Sequence, residues 1–252
     1  TLKKMKPKTT EELELMKISG KIAAKALKKV VENIKPGVKA IDLDTIARNV
    51  IEEEGAMSSF TTVEDYKWTT CITFNEQVVH GIPTEREIKE GDIVSVDTGA
   101  LFKNYHSDTA ITVSVGEVDQ ETQKFLEVGK LALEKAIDQA TSGNKIGDIS
   151  ATLQETIESA GYSIVKNLTG HGIGKELHEE PMIPGFGKKG IGSELKEGMT
   201  IAIEAIYAKK SGDVILEDDG WTISTEDGSL GGLFEQTIEV TKNKPIILTP
   251  YL

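Results

Sequence analysis

The strongest constraint on the fold is an internal repeat, because the two halves of the chain carry one residue pattern at a spacing of 106 residues. The tripeptide Lys-Glu-Gly recurs one step further apart, at residues 89–91 and 196–198. This shared order predicts two related helix–helix–strand units, spanning about residues 10–118 and 119–245. The matched positions are Leu27 with Leu133, Val31 with Ile137, Gly37 with Gly143, Asp42 with Asp148, Ile51 with Ile157, and Gly55 with Gly161.

Each unit is predicted to contain two helices that precede its strands. The first helix covers residues 9–35, where Thr10 can cap the N-terminus and Pro36 ends the apolar stripe. Because helices must cover the apolar face of the strands, we expect an α+β fold, with helices on one face of an antiparallel sheet, in one domain over residues 1–252. The other predicted helices cover 41–54, 121 to a break at Gly143, and 149–160; the clearest strands cover 66–74, 200–208 and 234–241.

Residues 89–110, KEGDIVSVDTGALFKNYHSDTA, form the most informative stretch. Alternating apolar residues predict a strand, a turn near Phe102 and Lys103, and a second strand. In that register Asp97 and Asp108 are equally distant from the turn and lie opposite each other. Directly opposed Cβ atoms are only about 4.5–5.5 Å apart, so two such carboxylates need a counter-charge or a shared proton. Two solvent-exposed turn aspartates are the alternative.

Two acids of the second half have unusually apolar neighbours. Glu204 lies within the strand sequence IAIEAI, and Glu235 follows Leu-Phe. A buried glutamate is costly unless it is paired or bound to a metal. If the repeat brings the halves together, these acids converge with Asp97 and Asp108, and no Lys or Arg with matching apolar flanks compensates them. His171, between two glycines, adds an imidazole, so the sequence predicts a metal site.

Four carboxylates and one imidazole suit two divalent ions that share a bridging carboxylate. Zn, Mn, Fe and Co all accept such donors, which are too rich in oxygen for a structural zinc and lack the cysteines of an iron–sulfur centre. Two divalent ions about 3.5–4 Å apart form a hydrolytic centre. The chain has no G-x-S-x-G motif and no P-loop, and His178-Glu179-Glu180 departs from the H-E-x-x-H zinc motif.

Charge and cysteine content narrow the partners and the compartment. The net charge of −12 and the pI near 4.9 argue against DNA and anionic membranes as partners. The single cysteine, Cys71, excludes an internal disulfide and fits a reducing compartment. No apolar run reaches membrane-spanning length and no signal-peptide pattern opens the chain, so we expect a cytoplasmic protein.

Four runs of residues resemble one known family, the type I methionine aminopeptidases of metallopeptidase family M24. The runs are VDTGALFKNYHSDTA, TGHGIGKELHEEP, MTIAIEA and LFEQTIEVT. The resemblance extends from the Thr10 helix to Thr241 and implies the pita-bread fold, in which a pseudo-two-fold domain curves an antiparallel sheet around a dinuclear metal site. It implies two divalent ions per chain, with Co, Mn, Fe, Zn and Ni left open, held by Asp97, Asp108, His171, Glu204 and Glu235.

The resemblance also assigns catalytic and substrate-binding roles. It implies that His80, in VVHGIP, and His178, in LHEEP, contact the substrate backbone and stabilise the tetrahedral intermediate. Glu204 is expected to shuttle a proton, with a purely ligating role as the alternative. A methionine side chain needs a flexible apolar pocket, and the residues that match the family's pocket wall, each with a core position as its alternative, are Tyr66, Cys71, Leu177 and Trp221.

The tripeptide His-Gly-Ile begins at residue 80 in one half and at residue 171 in the other. The repeat therefore predicts that His80 and His171 approach one cavity from two sides, with His171 on the metal and His80 facing the substrate. His106 is placed in the hairpin turn and is given no role.

The reaction implied by the resemblance is removal of N-terminal methionine from nascent proteins when the next residue is small. We expect a monomer, with the ribosome left open as a partner. The alternatives are a pita-bread aminopeptidase of another specificity, such as cleavage before proline, and a non-catalytic peptide-binding paralogue. The chain departs from the family pattern at Ala205, where proline is usual, at Gln236, where histidine is usual, and over residues 183–186 and 229–233.

Overall fold

The helices form two pairs, one in each half of the chain. In the computed structural model of the protein, which describes residues 3–4 and 6–250, α1 (Thr10–Val31) packs against α2 (Ala40–Glu53), and α3 (Gln120–Asp138) packs against α4 (Ile146–Ser159). The bounds of α2 shifted by 106 residues are those of α4, so the helices recur at the predicted spacing. The matched glycines that flank α2 and α4 have positive φ angles, which glycine adopts without strain: Gly37 (87°), Gly55 (72°), Gly143 (97°) and Gly161 (91°).

Thr9, rather than the predicted Thr10, caps α1. The Thr9 hydroxyl accepts a hydrogen bond from the Glu12 amide at 3.3 Å, and the Glu12 carboxylate accepts one from the Thr9 amide at 2.8 Å. This reciprocal pair is a capping box. The helix ends at Val31 instead of residue 35, because the chain turns at residues 32–33 ahead of Pro36, which disfavours helical backbone at the residue before it.

Among the described residues, the strands form one large sheet and two small ones. The large sheet has the order β1-β11-β10-β12-β15-β8-β5-β3, with β9 beside β12 and β16 beside β15, and all its pairs except β1 with β11 are antiparallel. The small sheets are β13-β14-β4 and β2-β6-β7. The strand bounds are β1 (Lys3–Lys4), β2 (Met57–Ser58), β3 (Thr70–Phe74), β4 (Gln77–Val79), β5 (Ile93–Thr98), β6 (Ala100–Phe102), β7 (Tyr105–His106), β8 (Thr109–Ser114), β9 (Ser163–Ile164), β10 (Thr169–Gly172), β11 (Glu179–Pro184), β12 (Thr200–Ala208), β13 (Val214–Leu216), β14 (Ile223–Thr225), β15 (Gly231–Glu239) and β16 (Ile246–Ile247).

The large sheet has a pseudo-two-fold arrangement of its own. Its two central strands are β15 and β8; outward from them, β12 in one direction corresponds to β5 in the other, and β10 corresponds to β3. The main apolar core lies between this sheet and the helices, where Leu43, Phe125, Ile201 and Val94 are buried together. Within the described part of the chain, no helix has the length and the apolar character needed to cross a membrane.

The central hairpin differs in register from the prediction. The turn lies at Lys103 and Asn104, whose φ angles are +47° and +67°, one residue later than predicted. A turn shifted by one residue moves the strand register by two, so Asp97 lies opposite Ala110 and not opposite Asp108. Asp108 is the diagonal neighbour of Asp97 on the same face of the sheet, a position from which side chains still meet.

Gly129 of α3 marks a close approach between the helices and the sheet. A Cβ atom at this position would lie 2.3 Å from the hydroxyl oxygen of Tyr207 in β12. Tyr207 has no room to move, because it is fully buried and its hydroxyl donates a hydrogen bond to the Phe125 carbonyl at 2.6 Å. The glycine therefore lets α3 lie directly on the strand that carries Glu204.

We expect Gly129→Ala to lower the free energy of unfolding by about 1–3 kcal/mol, because overpacking a filled core outweighs the gain in helix propensity. Urea unfolding followed by circular dichroism measures the change. Lys130→Ala, at the adjacent exposed position, is the matched control and should stay within about 0.5 kcal/mol of the wild-type value. Equal stability of the wild type and Gly129→Ala would contradict the close packing of α3 on β12.

Candidate metal centre and substrate cavity

Three of the four predicted acids lie in a single row across the sheet. Glu204 of β12 is directly opposite Glu235 of β15, which is opposite Ala110 of β8, which in turn is opposite Asp97 of β5. The row ends at Cys71 of β3, the partner of Asp97. Directly opposed residues point to the same face of a sheet, so strand register alone brings these side chains together.

The other two predicted ligands lie two residues from this row and therefore on the same face. Asp108 precedes Ala110 by two residues, and His171 of β10 is opposite Ala202, two residues before Glu204. His171 Nε2 is 3.8 Å from the nearer Asp108 oxygen and 3.6 Å from Glu204 Oε1. The sheet thus delivers all five predicted residues to one place.

The cluster has the donor set and the unmet bonding capacity of a cation site. Ligand atoms of Asp108, His171 and Glu235 lie within 4.8 Å of one another, and all three residues are buried. One carboxylate oxygen of Asp97 and one of Glu235 are buried with no hydrogen-bond partner in the described structure. Buried carboxylate oxygens that lack donors are costly unless a cation binds them, so these residues fit a divalent metal.

Burial shifts the protonation of every member of the cluster. It raises the pKa of Asp97 to about 7. Burial first, and the charges of neighbouring acids second, raise the pKa values of Asp108, Glu204 and Glu235 well above their usual range. Burial also lowers the pKa of His171 to about 3. Each shift disfavours the charged acid or the protonated imidazole in a protein-only environment, and a bound cation reverses this balance for the carboxylates.

His171 is oriented for ligation by its own backbone. Its Nδ1 lies 2.9 Å from the carbonyl oxygen of Gly172, which can only accept a hydrogen bond, so Nδ1 carries the proton. The unprotonated Nε2 then faces Asp108 and Glu204. A ligating histidine typically donates its other ring N–H to a carbonyl or a carboxylate in this way.

Threonine hydroxyls fix the backbone positions of two of the acids. The Thr237 hydroxyl accepts from the Asp108 amide at 3.0 Å and donates to the Asp108 carbonyl at 2.7 Å. The Thr109 hydroxyl donates to the Glu235 carbonyl at 3.0 Å. Sequence reasoning did not identify these threonines. Their signal is positional, since each lies one or two residues from a predicted ligand.

An apolar cavity of about 150 Å³ opens beside the acids. Every residue predicted for the pocket wall lines it, and so do all five predicted ligands and both predicted catalytic histidines. Sequence reasoning missed four apolar lining residues. The complete lining is Phe60, Val63, Tyr66, Cys71, Val79, His80, Asp97, Asp108, His171, Leu177, His178, Glu204, Trp221, Leu233 and Glu235.

Aromatic side chains form one wall of the cavity. The Tyr66 ring packs edge-on against Trp221, with 5.0 Å between the centroids, and against Phe60, with 6.4 Å. The Tyr66 hydroxyl donates to the Thr70 carbonyl at 2.8 Å and lies 3.2 Å from Cys71 Sγ, so its polar end is satisfied within the wall. Phe60 and Val63 precede Tyr66 at intervals of three residues, which is the pattern that could have identified them.

The two predicted catalytic histidines face the cavity with much of their surface exposed. His80 follows β4 with a φ of +59°, and His178 is the last residue of the irregular segment 173–178. The His178 ring lies edge-on to the His171 ring, with 4.4 Å between the centroids. Desolvation by the surrounding walls lowers the pKa of both His80 and His178, which favours the neutral imidazole.

The repeated tripeptide His-Gly-Ile is not a structural equivalence. His171 lies in β10, whose counterpart in the first half is β3. His80 lies outside β3, in the segment next to it; the Ile72 amide of β3 donates to the carbonyl of Gly81, the residue after His80, at 2.8 Å. Both histidines nevertheless line one cavity, as predicted. His106 does not line it; its ring is buried, with Nδ1 3.0 Å from the Ser59 hydroxyl.

Comparison with known proteins decides the family. The family model for metallopeptidase family M24 matches residues 14–242. The chain belongs to metallopeptidase family M24. The predicted family is therefore confirmed, and membership makes the chain a hydrolase that uses divalent metal.

Two methionine aminopeptidases match almost the whole chain over almost their own whole length. A methionine aminopeptidase of Aquifex aeolicus is 42% identical over 249 residues, which cover 94% of this chain and 96% of that protein. The crystal structure of a methionine aminopeptidase from Thermotoga maritima, 42% identical, covers 97% of this chain and 99% of that chain with a TM-score of 0.96. A prolidase from Pyrococcus furiosus aligns less well, with 27% identity and a TM-score of 0.78 over 96% of this chain and 65% of that chain. The predicted pita-bread fold is confirmed.

The two departures next to the glutamates, Ala205 and Gln236, lie away from the acid row. Ala205 is buried in the main apolar core opposite Phe234. Gln236 follows Glu235 in the strand and so faces the opposite way; its side-chain amide donates to the Thr249 carbonyl at 3.2 Å. Both replacements therefore change the packing behind the acids and leave the five donor side chains in place.

We expect Asp108→Asn to lower the affinity for divalent metal by at least about 10-fold, because the amide keeps the shape of the side chain and loses its negative charge. Elemental analysis after equilibrium dialysis against Mn²⁺ or Co²⁺ measures the bound metal. Asp138→Asn, an exposed substitution on α3, controls for the loss of one surface charge. Unchanged metal content in Asp108→Asn would remove this residue from the ligand set.

Proposed function

We propose that this chain removes the N-terminal methionine from peptides and nascent proteins whose second residue is small. The observation that carries the proposal is the geometry of one cavity, in which a cluster of four carboxylates and an imidazole adjoins an apolar wall. A peptide can place its first side chain against that wall only if its terminal amine and first carbonyl lie beside the acids. This arrangement suits an exopeptidase that reads one apolar residue.

The cofactor we propose is two divalent ions held by Asp97, Asp108, His171, Glu204 and Glu235, with Co, Mn, Fe, Zn and Ni as candidates. The buried acid oxygens without partners support this set. When bound, such ions supply a nucleophile at neutral pH and polarise the scissile carbonyl. The remaining tasks fall to side chains of this chain.

Glu204 is the residue we propose for proton transfer. Glu204 and Asp97 are the two of the four acids that keep some exposed surface, so the Glu204 carboxylate can contact both water and substrate. Its Oε1 already lies 3.6 Å from His171. A carboxylate in that position can accept a proton from attacking water and return it to the departing amine.

His80 and His178 can donate hydrogen bonds to the substrate. Both face the cavity, and their lowered pKa values keep the rings neutral at neutral pH, so that each offers one N–H and one acceptor nitrogen. An N–H aimed at the carbonyl oxygen stabilises the negative charge that develops there. The acceptor nitrogen of the ring can accept a hydrogen bond from the scissile amide N–H.

The apolar wall suits a methionine side chain. The aromatic rings of Tyr66 and Trp221, with Leu177 and the Cys71 thiol, offer polarisable and apolar contacts. Thioether sulfur packs favourably at the edge of aromatic rings, by about 0.3–1.5 kcal/mol. We propose that the protein acts as a monomer on nascent polypeptides in the cytoplasm, with the ribosome left open as a partner.

Cleavage of Met-Ala-Ser, Ala-Pro-Ala and Met-Lys-Ser by the chelated and then metal-reconstituted protein tests this function. We expect release of methionine from Met-Ala-Ser only, and only after a divalent metal is restored. Preferential cleavage of Ala-Pro-Ala would favour the alternative of a relative that cleaves before proline. Binding of Met-Ala-Ser without hydrolysis under every metal would favour a peptide-binding paralogue, and efficient cleavage of Met-Lys-Ser would contradict the small second residue.

We expect His80→Ala to keep its metal and to lose about 10²–10³-fold in turnover of Met-Ala-Ser, the typical cost of one oxyanion donor. His171→Ala should instead lose metal affinity and regain part of its activity in excess metal. Metal content and turnover, measured on both variants, separate the two roles. Loss of metal from His80→Ala with retention in His171→Ala would reverse the assignment.

A further inference from the structure

A buried ion pair joins the N-terminal segment to the loop that carries His178. Lys8 Nζ lies 3.0 Å from Glu179 Oε2, and the two side chains are only 7% and 6% exposed. Glu179 directly follows His178 in the chain. Desolvation makes a buried ion pair a weak source of stability. Its position next to the cavity therefore points to a role in placing the residues of the cavity.

The same glutamate closes the loop before it. Its second oxygen, Oε1, accepts hydrogen bonds from the amides of Lys175 at 2.9 Å and Glu176 at 3.3 Å. At Gly174, the second residue of the loop, a Cβ atom would lie 2.5 Å from Lys8 Nζ and 2.8 Å from Glu179 Oε1. The loop is therefore packed closely around the ion pair, with no space for a side chain at Gly174.

Lys8 is held in place independently of Glu179. Its amide donates to the carbonyl of Gly198 at 2.8 Å, just before β12, and the next residue, Thr9, caps α1. The backbone from which the ammonium group extends is thus fixed relative to the strand that carries Glu204. This gives the loop a charged anchor tied to the acid row itself.

Two cavity residues depend on the shape of this loop. Leu177 lines the apolar wall, and His178 faces the cavity 4.4 Å from the His171 ring. No hydrogen bond to the His178 ring is found within the described residues, so the backbone of the loop sets its direction. We propose that Lys8, which does not line the cavity, is a positioning residue that acts through Glu179 to aim His178 and to seat Leu177. This inference rests on the proposed function.

The first test measures kcat and KM for Met-Ala-Ser in Lys8→Met. We expect kcat/KM to fall by about 10- to 100-fold, the range for a misplacement of about 1 Å, while bound metal is unchanged. Lys8→Arg keeps the charge and should restore most of the loss. Lys175→Met, on the same loop but exposed, with Nζ 3.6 Å from Glu12 and 5.7 Å from the centre of the Tyr105 ring, is the matched control and should stay close to the wild type.

A double-mutant cycle with His178→Ala separates positioning from general damage. If Lys8 acts through His178, Lys8→Met should cost little further kcat in the His178→Ala background. An equal loss in both backgrounds would overturn the proposal. If Lys8→Met does not fold, the variant Lys8→Met/Glu179→Gln leaves no unpaired buried charge and carries the same expectation.

Hydrogen exchange of the amides of Lys175 and Glu176 provides a readout that needs no activity. These amides should exchange faster in Lys8→Met and at wild-type rates in Lys175→Met outside the mutated residue. Unchanged exchange together with unchanged kcat/KM would refute the positioning role. A wild-type protein that leaves Met-Ala-Ser intact would refute the proposed function instead, and the exchange result would still decide whether Lys8 orders the loop.

Discussion

Mutual repulsion among four carboxylates on one face of one sheet is the constraint on which the rest of this structure depends. Glu204 and Glu235 are directly opposed across β12 and β15, an arrangement that destabilises a pair of strands when both side chains are charged. A slip of one residue would relieve it by turning one acid to the other face. The helix-covered face prevents this slip, because the same strands bury Ile201, Ile203 and Ala205 in the main apolar core. The apolar core therefore keeps the strands in a register that charge repulsion between the acids disfavours.

The acids meet where a short backbone ladder joins the two halves of the large sheet. Only two residue pairs register between β8 and β15, Ala110 with Glu235 and Thr109 with Gln236. Side-chain hydroxyls extend the connection on both sides, with Thr112 bonded to the Leu233 carbonyl at 2.8 Å and Thr237 bonded to the backbone of residue 108. These hydroxyls keep the two halves in one layer beside the candidate metal centre.

The sequence predicted the components better than the local geometry. The repeat located α4 from α2, and apolar flanks identified Glu204 and Glu235, because burial and periodicity are written into residue type. The predicted hairpin register was wrong because Lys103 adopts a positive φ angle, which is uncommon for a residue other than glycine. Of the two turn residues, only Asn104 is of a type that indicates such a turn. The wall residues Phe60 and Val63 lie in and directly after a 3₁₀ turn over 60–62, and a three-residue spacing that is repeated only once is too short a pattern to stand out in the sequence.

The two halves share an architecture but place different side chains at the site, and one pair of equivalent strand positions shows this difference. His171 is opposite Ala202 in β12, and the corresponding partner of Ser95 in β5 is Thr73, whose buried hydroxyl has no hydrogen-bond partner in the described structure. The second half thus places an imidazole where the first half places a small hydroxyl. Space left on the first-half side is filled by the wall that Tyr66 and Phe60 form, so the acids have a ligand on one flank and an apolar surface on the other. An asymmetric cavity of this kind follows from a symmetric sheet because only one of the two equivalent strands, β10 and β3, places an imidazole beside the row.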